Sequence, residues 1–215
     1  MSFYEDKIFP YALDIGLAGV KPTRIDLVSQ AGGRVLEVGI GNGANLPFYT
    51  SKATEVVGIE PCAAMVDMAR DRLRKLSEEG KLELRLDQYD LRVGNGEDLP
   101  FADDSFDTGI ACLVFCTIPN AQKAAQEMYR VLKPGGQLLF FEHVHARHGL
   151  KRQLQDWFNP LWKPIACGCH LNRDTYGVFQ KVGFKYDKLD EMDHPKMLGL
   201  FSSVILGSAR KPAAA

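Results

Sequence analysis

No apolar run in the chain reaches the ~18 residues needed to span a bilayer, so no transmembrane helix is expected. A basic leader is missing too: Met1-Ser2-Phe3-Tyr4-Glu5-Asp6-Lys7 is acidic where a signal peptide carries positive charge. Cysteine is sparse and odd in number, five in 215 residues, without the spacing of a small disulfide framework, which suits a reducing compartment. These absences point to the cytoplasm. The formal charge is only −1, so no basic field argues for nucleic acid. Cys167-Gly168-Cys169-His170 has no second Cys or His pair at zinc-site spacing, and no metal is expected there or at His143, His145 and His148. Two cysteines one residue apart are also poorly placed to bridge each other. Internal repeats are absent. What remains is an ordinary globular composition, 46% hydrophobic and 25% charged, in a length suited to one domain with a substantial core.

The chain is organised around Arg34-Val35-Leu36-Glu37-Val38-Gly39-Ile40-Gly41-Asn42-Gly43. Arg34 to Val38 reads as a short buried strand of a parallel sheet. Gly39, Gly41 and Gly43 then allow bare backbone, and the N–H groups of a helix expected to start here, to approach a ligand. A dinucleotide fingerprint needs its third glycine where Ala44 stands, and no Gly-Lys-Ser/Thr follows to make a P-loop. Glu37, two residues before the first glycine, suits a cationic ligand better than a pyrophosphate. This strand, loop and acid resemble motif I of the class I S-adenosylmethionine-dependent methyltransferases, with Asn42 inside the loop.

Glu55 to Ile59 reads as a second strand closing on Glu60, placed to accept hydrogen bonds from a ribose, with Pro61 beside it. Met65, Ala69, Leu73 and Leu76 recur at helical spacing as core, and Met65 is near enough to pack on an adenine ring. Leu91-Arg92-Val93 leads into Gly94-Asn95-Gly96-Glu97-Asp98-Leu99-Pro100-Phe101, a turn-rich run by composition. It is similar to the family's third cofactor segment; the resemblance puts the Asn95 side-chain oxygen and the Gly96 N–H against adenine, with Glu97 beside them. Ser105 to Cys112 is the fourth strand, and Ala111 and Cys112 end it at the carboxyl edge where open α/β sheets bind ligands. Asn120 caps a helix that Leu132-Lys133-Pro134-Gly135-Gly136 ends, and Gln137 to Phe141 is the fifth strand. A helix from Asp174 to Val182 and strands Phe184 to Leu189 and Ser203 to Ala209 complete the pattern.

The expected fold is therefore α/β and Rossmann-like, a seven-stranded, mostly parallel sheet with helices on both faces. Its last strand is antiparallel and inserted between the fifth and sixth. Residues 1–215 are expected to form one domain: a helical arm or lid over 1–31, a cofactor-binding core over 32–144, a substrate-side insertion over 145–182 and C-terminal strands over 183–215. Tyr4 or Tyr11 of the arm would line the site if it acts as a lid; otherwise the arm packs on one end of the sheet. Trp157 and Trp162 are expected in the core, or otherwise as walls for an apolar substrate.

A narrower resemblance rests on "IGNGANLPFY" (Ile40 to Tyr49), "FFEHV" (Phe140 to Val144) and "CGCHLNRDTY" (Cys167 to Tyr176). These are similar to the methyltransferase-like family that includes animal membrane-anchored alkyl-thiol methyltransferases. The animal members' hydrophobic anchor is not expected here, although peripheral membrane association stays compatible with the sequence. The resemblance implies S-adenosyl-L-methionine as cofactor and a small molecule, such as a lipophilic thiol, as acceptor. An amine or phospholipid head group methylated on nitrogen, or a quinone precursor methylated on carbon, are the alternatives. Cofactor binding without catalysis would go with degenerate motifs, and these are intact. A thiol must lose its proton before it attacks, and histidine is a suitable base near neutrality. His143, at the end of the fifth strand, is the first candidate and His170 the second. Oligomeric state is not legible.

Overall fold

The structure, a computed structural model, describes residues 18–197 and 199–213; Tyr4 and Tyr11 lie outside them. The chain runs α1 (Lys21–Val28), β1 (Gly33–Val38), β2 (Ala53–Glu60), α2 (Ala63–Glu78), β3 (Tyr89–Val93), β4 (Phe106–Cys112), α3 (Ala121–Val131), β5 (Leu132–His143), α4 (Gly149–Ile165), α5 (Thr175–Val182), β6 (Lys185–Asp193) and β7 (Ser203–Arg210). The strands form one seven-stranded sheet in the order β3-β2-β1-β4-β5-β7-β6. β1 to β5 pair in parallel, whereas β7 lies antiparallel between β5 and β6. This is the expected doubly wound sheet. The order reverses between β1 and β4, the switch point where such sheets bind their ligands.

Two apolar layers cover the sheet. Leu36 and Val38 of β1 join Val57, Ile59, Ala111 and Phe140 on the face packed by α3 and α5. Val35, Val56, Ile110, Leu139 and Phe141 face the opposite way, with Leu27 and Val28 of α1 against them. Alternation along each strand produces this division. Glu37 and His143 fall on the α1 side of the alternation and Glu142 on the other. Close approach of the layers depends on small residues; a Cβ on Gly109 of β4 would lie 2.5 Å from Met128 Sδ of α3.

Three local expectations are corrected. No helix follows the glycine stretch: residues 41–45 form turns and Leu46–Phe48 is a single 3₁₀ turn, because Pro47 and Gly43 leave no room for a longer one. No helix N-terminus directly after the glycines is therefore part of this site. Leu132 to Gly136 does not simply stop a helix but already belongs to β5; Leu132 pairs with Phe106, and the register shifts before Thr108 pairs with Gln137. Gly135, at φ 79°, makes that irregularity possible. Finally, the insertion is a long helix, α4, despite Pro160 and Pro164 within it. Trp157 is 70% exposed on this helix instead of buried, whereas Trp162 packs on Phe201 with ring centroids 4.4 Å apart.

Candidate functional site

The glycine stretch crosses the end of β1 in left-handed turns, with φ of 74°, 56° and 78° at Gly39, Gly41 and Gly43. The three glycines meet different needs. A Cβ on Gly39 would strike Val114 at 2.2 Å, and one on Gly43 would come within 3.1 Å of Ala69 in α2, so these two serve close packing. Around Gly41 a Cβ would meet nothing within 4 Å. That open space lies beside Glu60: the Gly41 N–H donates to Glu60 Oε2 at 3.2 Å, and the Cys62 N–H donates to Oε1 at 3.0 Å. Burial raises the Glu60 pKa, opposed by these two backbone bonds. Each oxygen retains a further lone pair for a hydroxyl donor. The cradle and the acid at the end of β2 thus fit the nucleoside part of S-adenosylmethionine.

Glu37 sits deeper. Its oxygens accept from Asn45 Nδ2 at 2.6 Å and from the Tyr49 hydroxyl at 2.5 Å, and Arg24 Nε donates to Asn45 Oδ1 at 2.8 Å. Burial raises its pKa, with Tyr49, Asn45 and Arg24 opposing. Glu37 therefore ties α1 and the loop together as well as supplying negative charge beneath the loop. Asn42 accepts from Arg72 Nη1 at 3.2 Å, and its Nδ2 is buried without a partner among the described residues.

The third segment reaches the same edge. The Gly94 N–H donates to the Glu60 carbonyl at 3.1 Å, and a Cβ on Gly96 would collide with Val38 at 2.7 Å. Asn95 Oδ1 accepts from the Glu97 N–H at 2.9 Å, which fixes the turn and leaves one lone pair outward. Glu97 Oε1 accepts from the Asn120 N–H at 2.9 Å. Met65 is buried at the start of α2, next to the exposed Pro61. Glu37, Gly41, Glu60, Asn95 and Gly96 are thus brought to one edge of the sheet, with Ala111 and Cys112 closing β4 beside them. Desolvation, then the Glu37 carboxylate, push the Cys112 thiol up to about 12.

At the β4–β5 end lies a second group of side chains. Leu113 takes φ 56°, unusual for a branched residue, and turns the chain so that the Val114 N–H donates to Glu142 Oε1 at 3.0 Å. Glu142 is fully buried, and its Oε2 has no partner among the described residues. Burial pushes its pKa up to about 8, although the amides of Val114, Phe115 and Cys116 favour the charged form. A folded-state pKa above the unfolded one means that the native state holds the extra proton. Stability then falls as pH rises from about 4.5 towards 8. Glu142→Gln keeps the Val114 bond and removes the charge. Its melting temperature relative to wild type should rise by about 3 °C or more between about pH 5 and pH 8, since 1 kcal/mol corresponds to about 2–4 °C in a chain of this size. A gap that stays constant across that range would show that Glu142 does not titrate there.

His143, 3% exposed, places Nε2 3.3 Å from the Leu200 carbonyl. The buried Gln155 of α4 holds that carbonyl as well, donating at 2.8 Å, and accepts from the Ala146 N–H at 2.7 Å. A carbonyl only accepts, so Nε2 carries the proton and Nδ1 the lone pair. His170 is differently engaged. Arg173 Nη2 lies 2.8 Å and the Cys116 carbonyl 3.2 Å from its Nδ1. A guanidinium only donates and is the nearer, so Nδ1 accepts from it and carries no proton for the carbonyl. Burial and then Arg173 lower the His170 pKa. Arg173 also donates to the carbonyls of Phe115 and Ile118, fastening the 167–173 loop to the segment after β4. The two histidines therefore do not meet over one point: His143 keeps a lone pair in the interior, and that of His170 is occupied. Gln155, Glu142 and Cys169 were missed from sequence. The only local signal was the "FFEHV" run for Glu142.

Comparison with known proteins agrees with this geometry. Residues 36–140 match the family described as a methyltransferase domain. Thiol S-methyltransferase TMT1B of Rattus norvegicus is 35% identical over 164 residues, 75% of this chain and 64% of the relative. TMT1B of Homo sapiens is 32% identical over 194 residues, 88% of this chain and 76% of the relative. The chain thus spans about two thirds to three quarters of the length of these relatives. Among solved structures, a SAM-dependent methyltransferase from Methanosarcina mazei superposes with a TM-score of 0.66 at 19% identity, covering 90% of this chain and 98% of the other. The chain belongs to the class I S-adenosylmethionine-dependent methyltransferase family. Within it, the relatives just named are thiol S-methyltransferases.

Proposed function

We propose that this protein transfers a methyl group from S-adenosylmethionine to the sulfur of a small lipophilic thiol. The observation that carries the reading is the likeness to the two thiol S-methyltransferases over 75% and 88% of this chain. Glu60 holds the ribose, Gly41 admits the backbone approach, and Asn95, Gly96, Pro61 and Met65 surround the adenine. Asn42, Glu97, Ala111 and Cys112 complete that wall. The cofactor supplies an activated methyl on a cationic sulfonium, so the chain's own task is alignment in a water-poor site and removal of the acceptor's proton. His143 is the base in this reading. Its Nδ1 lone pair is fixed by the Leu200 carbonyl on the other nitrogen. Cys169 is half-buried beside His143. His170 positions the loop through Arg173. Among the described residues no helix is long and apolar enough to cross a membrane. We read the chain as a cytoplasmic one-domain enzyme for small molecules that does not act on nucleic acid.

The acceptor's own proton supplies the test. A thiol with pKa near 8.5 is mostly protonated at pH 7, so its methylation should accelerate with pH until the thiolate saturates. His143→Ala should lose about 10²-fold in rate at pH 7 and much less at pH 9, where solvent provides the thiolate. A pH–rate profile with one reactive thiol decides it. A constant ratio of wild type to variant over that range would remove His143 from the role.

A further inference from the structure

The β5 end holds a pair of thiols that the cofactor site does not use. Cys116, 4% exposed, lies in the segment after β4, and Cys169 is half-buried in the loop after α4. The backbone brings them together, since the His170 N–H donates to the Cys116 carbonyl at 2.8 Å. Further bonds lock that loop: Asn159 Oδ1 accepts from the Leu171 N–H at 2.8 Å, Asn172 Nδ2 donates to Asp156 at 2.8 Å, and Arg173 grips the opposite segment. Around Cys169 are polar groups that find no hydrogen-bond partner among the described residues. These are His143 Nδ1, on a side chain 3% exposed, and Trp162 Nε1. Both side chains lie against Cys169, as does Cys116. Nδ1 carries a lone pair and so is able to receive the Cys169 proton, whereas the Cys116 thiol donates to the Leu113 carbonyl at 3.8 Å and lies 3.6 Å from Thr117 Oγ1. One thiol is thus placed to lose its proton and stay accessible, and a second is buried directly beside it.

We propose that Cys169 and Cys116 form a thiol–disulfide exchange couple whose substrate is a low-molecular-weight dialkyl disulfide. Cys169 passes its proton to His143 Nδ1 and attacks one sulfur of the disulfide. A Cys169–sulfur bond forms as the substrate S–S bond breaks, and the leaving thiolate takes the electron pair and then the proton. Cys116 then attacks the Cys169 sulfur and expels the second substrate sulfur as a thiolate, which takes up the proton Cys116 loses. One substrate disulfide is reduced to two thiols, and the two protein thiols are oxidised to one Cys116–Cys169 disulfide, which an added dithiol resets. The other charged or titratable groups facing Cys169 are Glu142 of β5 and His170 and Arg173 of its own loop. The hydrogen bond from Cys116, then His143, hold the Cys169 thiol well below the usual range, whereas Cys116 is raised. That is the division of labour between an attacking and a resolving thiol. The exchange needs no cofactor, so it is tested apart from methyl transfer, although the thiols it releases are of the class methyl transfer would consume.

The experiment uses the full reduced chain, hydroxyethyl disulfide as probe, and peptide mass spectrometry. Wild type should end with a Cys116–Cys169 disulfide and no adduct. Cys116→Ser should retain a hydroxyethyl adduct on Cys169. In wild type, iodoacetamide labelling of Cys169 should have its pH midpoint well below the ordinary thiol value of about 8.5. His143→Asn should raise that midpoint and slow adduct formation at least tenfold at pH 7. An adduct confined to Cys62, Cys112 or Cys167, or a wild-type Cys169 midpoint at 8.5 or above, would overturn the proposal whether or not the His143 variant folds.

Discussion

Gly41→Val should abolish binding of S-adenosylmethionine while the chain stays folded. The backbone at Gly41 has φ +56°, and a Cβ there would meet no protein atom within 4 Å. The substitution therefore costs only the strain of a branched residue in the left-handed region, roughly 1–2 kcal/mol. In a chain of this size that lowers the melting temperature by only a few degrees, at about 2–4 °C per kcal/mol. The valine methyls would occupy the open space beside Glu60 where ligand and backbone must touch. Calorimetric titration should detect no binding, and the melting curve should stay cooperative. Wild-type affinity in the variant would mean that the ligand does not cross this loop. Gly43→Val tests something else: its Cβ would come within 3.1 Å of α2, so it should unfold the region before it tests binding.

Glu60→Ala should weaken cofactor binding by roughly 2–4 kcal/mol, the value of two charge-assisted hydrogen bonds from a ribose. That corresponds to about 30- to 700-fold in Kd. The structure adds a second contribution in the same direction. Glu60 also accepts the N–H groups of Gly41 and Cys62, so the alanine leaves the loop without its anchor. Glu60→Asp should be milder, because it loses reach and keeps the charge. Titration of both variants orders them: wild type tightest, then aspartate, then alanine. Equal affinity for wild type and alanine would place the ribose elsewhere.

What was legible in the sequence was whatever depends on local pattern. Arg34 to Gly43, Glu60 and the strand alternation specify the parallel sheet and the side on which ligands bind, because one-residue slips would expose the core. The antiparallel last strand between its neighbours came from the resemblance to the class I methyltransferases and not from local pattern. The missed features all join distant segments. Arg24, Asn45, Glu37 and Tyr49 form one buried network only after α1 has packed on the sheet. Gln155 reaches the Leu200 carbonyl across 45 positions. Cys116 and Cys169 meet because Arg173 and His170 fasten one loop to another, which no spacing rule captures. After the glycines only one 3₁₀ turn forms, Leu46–Phe48, because Pro47 leaves no room for more. Trp157 was expected to be buried by residue type alone, yet α4 turns that face outward.

The fold alone does not carry the acceptor, since one scaffold serves many chemistries. The most direct measurement is one incubation of the purified chain with methyl-labelled S-adenosylmethionine and an equimolar panel of an alkyl thiol, a primary amine and a quinol, followed by identification of the labelled atom. The account predicts label on sulfur, rising with pH and lost in Gly41→Val. Label on nitrogen or carbon, with none on sulfur at any pH, would contradict it.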